Sequence, residues 1–144
     1  MNHAQWIAHF QRNREQRAEP DWSAPFALPE AVLKHLRPSL AEYQLGDGGG
    51  PACLIAGDAE QFRGSSDAMQ QIVDLWFAEE REHSRLLGRA VDRIGARRVR
   101  GHWSFSAFLA CRRAMGVRAE LQVLLLVELV STVYYRLIRG HCAD

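Results

Sequence analysis

Strand signals are nearly absent from this sequence: no stretch sustains a period-two alternation of apolar and polar residues, and the apolar residues recur at helical spacing. A sheet-based fold is therefore excluded and an all-α chain is expected. Cysteine is scarce. Cys53, Cys111 and Cys142 lie far apart, are odd in number and form no C-x-x-C pair, which argues against a disulfide framework and a zinc knuckle and places the chain in a reducing cytoplasm. Lysine is almost missing, since all but one of the 18 basic side chains are arginine, a bias we attribute to codon usage. A strong charge of either sign is missing too. The formal net charge of +1 gives no global case for nucleic acid, an anionic membrane or an acidic substrate.

The N-terminus, MNHAQWIAHFQRNREQR, has no apolar run ahead of a small-residue cleavage site and so does not read as a signal peptide. Its Trp6, Ile7 and Phe10 predict a short amphipathic helix. The one long apolar run, 121–138, reaches the roughly 18-residue minimum of a membrane span. It contains Gln122, Glu128, Ser131 and Thr132, however, and a mid-membrane carboxylate costs several kcal/mol, so a buried helix of a soluble bundle is expected instead.

What is present fits one globular domain: 144 residues, 47% hydrophobic and 24% charged. Residues 1–28 read as an N-terminal arm, with Pro20, Pro25 and Pro29 in a loop after the first helix. PEAVLKHLRPSLAEYQLGD is a helical stretch punctuated at Pro38. GDGGGP (46–51) kinks or breaks any helix crossing it, because a mid-helix glycine costs about 1 kcal/mol and a proline about 3. CLIAGDAEQF can resume as a helix, Gly64, Ser65 and Ser66 form a turn and cap, and a long helix is predicted over 67–94, closed by Gly95. GARRVRGHW is a basic loop, with His102 and Trp103 as a packing corner. SFSAFLACRRAM is predicted as a short helix, separate from the last and most apolar one over 117–139.

On a wheel of the long helix, Val73, Trp76, Leu87, Val91 and Ile94 lie within about 40° of Glu80, with Phe77 and His83 about 60° to either side. Glu80 is thus expected on the centre line of the apolar face. Glu79 and Glu82 project elsewhere and, with Arg85, Arg89 and Arg93, read as a solvated face of i,i+3 and i,i+4 ion pairs. Glu80 and His83 form an E-x-x-H pair, a carboxylate and an imidazole almost one turn apart that could ligate one metal ion. On the last helix Glu128 shares a face with Leu121, Leu124, Leu125, Ser131, Thr132 and Tyr135 and is expected to point into the core. Two buried carboxylates must be protonated, paired or given a cation; Arg112, Arg113 and Arg118 are the candidate pairing partners.

With Glu80, His83 and Glu128 so placed, residues 39–139 resemble the ferritin-like superfamily of carboxylate-bridged di-iron proteins, most specifically in FAEEREHSRLL and LLLVELVSTVYYRLI. The resemblance implies a four-helix bundle with a glutamate from each of two helices and an E-x-x-H from each of the other two. It implies Asp47 as a terminal metal ligand in place of the family's glutamate, Glu80 as a bridging ligand, His83 as a terminal ligand, Glu128 as the third helix's acid, and Tyr135 as a hydrogen-bond partner behind it. Only three bundle helices are read here, plus the N-terminal helix and a short connecting helix. The second E-x-x-H is missing from 1–144, so three expectations stand: a truncated or partial sequence, which we favour, a twofold homodimer that completes the bundle, or a vestigial, metal-free site.

The implied metal is iron, with manganese as the alternative, since mixed carboxylate and imidazole donors suit both and no thiolates are placed to select zinc. The implied activity is an oxygen-activating oxidoreductase or iron oxidase acting on oxygen and a small-molecule substrate. Two rivals are a metal-free helical interaction module and an RNA-modifying hydroxylase, the latter resting on Arg97, Arg98 and Arg100 alone. For that arginine cluster, a solvated loop is the favoured reading.

Overall fold

The computed structural model describes residues 2–47 and 67–141, and side chains within these spans except those of Asp47, 105, 108, 109, 112, 113 and 116–121. Among the described residues the only regular elements are four helices: α1 (His3–Gln16), α2 (Glu30–Asp47), α3 (Asp67–Arg93) and α4 (Trp103–His141). They divide between two compact units, Met1–Arg100 and Gly101–Asp144.

In the first unit α3 packs against both α1 and α2. The core is the α2–α3 seam, where Leu40, Ala41 and Leu45 of α2 are buried together with Phe77, Leu87 and Val91 of α3 and Ile94 just beyond it. Asn2 caps α1 by accepting the Gln5 backbone N–H at 3.3 Å. Trp6 and Phe10 supply its apolar side, with ring centroids 6.0 Å apart.

α2 runs through Pro38, whose missing N–H leaves the Lys34 carbonyl without its intrahelical partner. Burial of the four residues either side of the next turn, and the Arg37 guanidinium, which donates to the Ile94 carbonyl at 2.8 Å and to Glu30 at 2.6 Å, hold the helix together there. α3 ends as the sequence predicts. Gly95 is left-handed at φ +67°, the Gly95 N–H donates to the Asp92 carbonyl at 3.1 Å and the Ala96 N–H to Val91 at 3.0 Å, which is a Schellman closure.

The second unit is one helix where two were expected. α4 passes uninterrupted through Gly116, because a single glycine costs only about 1 kcal/mol and 103–141 contains no proline. No helix among the described residues is long and apolar enough to cross a membrane. The CLIAGDAEQF helix and the Gly64, Ser65 and Ser66 turn lie outside the described residues.

Candidate functional site

Glu80 and His83 do stand one turn apart on α3, with Glu80 half-buried and the His83 side chain 49% exposed. The neighbouring carboxylate is also half-buried. Glu79 is only 11% exposed, accepts a charge-assisted hydrogen bond from Arg17, and places its Oε2 3.9 Å from His83 Nε2. The expected outward position of Glu79 is thereby corrected. A wheel centred on one apolar stripe assumes one covered face, whereas α3 is covered on two sides and Glu79 faces the α1 side along with Leu75 and Ala78. Arg12, Asn13, Gln16 and Arg17 join Glu79 and His83 around a cavity of about 420 Å³.

The arginines of α3 also differ from expectation. Arg85 makes the expected i,i+3 pair with Glu82 at 2.6 Å, but it also holds Glu19 at 2.5 Å, and Arg89 reaches the same carboxylate at 2.7 Å. Arg89 lies over the Trp22 ring, 4.7 Å from its centroid, and Arg93 donates to the carbonyls of Trp22 and Ala24. The face read as solvated is thus the seat of the proline-containing arm. Glu19 is held down to about 2 by its hydrogen bond from Arg85 and, next, that from Trp22.

Asp47 is the last residue of α2, and its side chain lies outside the described residues. Glu128 belongs to the second unit and is exposed, which corrects its expected inward position. Around α4, at about 100° per residue, the less exposed stripe is Leu124, Ser131, Tyr134 and Ile138, and Glu128 lies off it beside Thr132, whose hydroxyl donates to the Glu128 carbonyl at 3.0 Å. The side chains of Arg112, Arg113 and Arg118 lie outside the described residues. Among the described residues no three His, Cys, Asp or Glu side chains converge to hold a metal ion.

No protein-family model, curated protein or solved structure matches this chain. The surface feature that the sequence reading passed over is on α4. Leu125, Leu126, Leu129, Val130, Val133 and Leu137 form one continuous apolar face, each 56–63% exposed. The signal for it was the same run that we read as a buried helix. Its i, i+4, i+8, i+12 series of Leu125, Leu129, Val133 and Leu137 is a ridge suited to packing on another helix.

Proposed function

We propose that this protein is a helical association module that works as a homodimer, with α4 as its pairing element. The observation that carries the reading is the exposed face from Leu125 to Leu137. Six such side chains present on the order of 600 Å² of apolar surface, at the top of what a monomer usually leaves open, and two copies together would bury about 1,200 Å², the lower bound of stable interfaces. Its ridge of Leu125, Leu129, Val133 and Leu137 is also self-complementary. In an antiparallel pair with its twofold axis level with residue 131, Leu125 meets Leu137 of the second copy and Leu129 meets Val133, so apolar positions fall opposite apolar positions along the whole ridge.

Light scattering of the purified chain tests this: the expected mass is twice 16.3 kDa, and Leu129→Glu with Val133→Glu should return it to the single-chain value without loss of helix. A wild-type chain that stays monomeric at tens of micromolar would overturn the proposal.

The di-iron reading that the ferritin-like resemblance implies has one observation in its favour, the carboxylate and imidazole of Glu80 and His83 one turn apart on α3. These two donors do not make a di-iron centre. The further donors that the resemblance implies are Asp47, Glu128 and a second E-x-x-H, whether from a further helix of a longer chain or from a second copy. Iron analysis alongside the mass separates the two. Two irons per dimer, lost in Glu80→Ala and His83→Ala, would establish the metal protein; a folded dimer expressed with iron and carrying none would leave the association module.

A further inference from the structure

Within the first unit, the second half of α2 and residues 95–100 enclose a groove of about 1,140 Å³, on the scale of a small-ligand pocket. Its apolar floor includes Ala41 and Leu45, both buried, and its walls carry Arg37, Arg97, Arg98 and Arg100. The four guanidiniums are in different states. Arg37 is engaged by Glu30 and the Ile94 carbonyl, and Arg98 by Asp92 at 2.5 Å, with its guanidinium 3.1–3.3 Å from where a Cβ on Gly88 would stand. Arg97 and Arg100 are exposed and have no ion pair or hydrogen bond among the described residues.

Gln44 adds a neutral donor and acceptor to this basic lining. That side chain lines the same groove, is only 8% exposed, and has no hydrogen-bond partner among the described residues. Its amide oxygen and nitrogen are open to solvent at the groove, where they offer an acceptor and donors that no described residue uses.

We propose that this groove binds a phosphate ester of nucleotide size. Arg97 and Arg100 take the phosphate, for which the planar guanidinium fork is suited to bidentate pairing, while Arg98, fixed by Asp92 and the Gly88 seat, walls the groove between them. The flat base lies over Ala41 and Leu45, and the Gln44 amide reads its edge with one donor and one acceptor. Glu42, which also lines the groove, opposes a bare anion and accepts from a sugar hydroxyl or an exocyclic amine. Such an ester could be a free nucleotide or the phosphorylated end of an RNA.

Calorimetric titration of the full chain with AMP, with inorganic phosphate and with a 5′-phosphorylated RNA octamer decides among these. AMP is expected to bind at least tenfold more tightly than phosphate, and Arg97→Ala with Arg100→Ala, both at exposed positions, to weaken AMP at least tenfold. Gln44→Glu should weaken AMP more than it weakens phosphate, and the helical circular-dichroism signal reports that each variant is folded. If the octamer binds tenfold more tightly than AMP and loses that advantage in the same variants, the source is an RNA end; if it does not, the source is the free nucleotide. Equal affinity for phosphate and AMP, no AMP binding at 1 mM, or binding indifferent to the arginine pair would each sink the assignment.

Discussion

Gly88 is buried on α3 with the Arg98 guanidinium lying 3.1–3.3 Å from where a side-chain carbon would begin. Gly88→Ala should therefore raise local helix propensity by about 1 kcal/mol while pushing the Arg98 guanidinium a few tenths of an ångström, enough to loosen its pairing with Asp92. The expected readout is a normal upward shift of the Asp92 carboxyl titration by NMR, because the Arg98 hydrogen bond is the main influence holding it below the usual range. Gly95 is the opposite case. At φ +67° an alanine is strained, and Gly95→Ala should cost about 1 kcal/mol in chemical denaturation. Glu19 titrates near 2 in the folded chain against an ordinary 4.5, so its contribution to holding the arm is complete above pH 4.5 and disappears as pH falls through 2. Trp22 fluorescence should report arm release in that window, and Glu19→Gln should move release out of it.

At the scale of elements, α3 was readable almost to the residue, since its apolar period, its acidic start at Asp67 and its closing Gly95 all point the same way. Its surroundings were not. Periodicity records how many residues are apolar on a face but not that a second helix covers another side, which is why the Arg17 partner of Glu79 went unread. The seating of residues 19–26 on Arg85, Arg89 and Arg93 was illegible for a different reason: it rests on ion pairs and carbonyl acceptors in a segment with no period at all. In α2 the proline is the weak point. Pro38→Ala restores a donor for the Lys34 carbonyl and should stabilise the first unit by about 1–2 kcal/mol, measured as a raised denaturation midpoint.

Among the described residues, the buried side chains lie mainly in the first unit and the widest exposed apolar face in the second. The all-α class was legible from the missing alternation. The fate of the apolar run was not, because a helix that is greasy on most sides reads the same whether its cover comes from its own chain or from another. Cys111, exposed on α4, turns that ambiguity into a chemical distinction. If two copies pair antiparallel about residue 131, their Cys111 sulfurs sit about 60 Å apart at 1.5 Å per residue along the helix, whereas parallel pairing makes them neighbours. With Cys53 and Cys142 replaced by serine, mild oxidation should leave the antiparallel dimer uncrosslinked on a non-reducing gel, so a single thiol reports the direction in which two helices run.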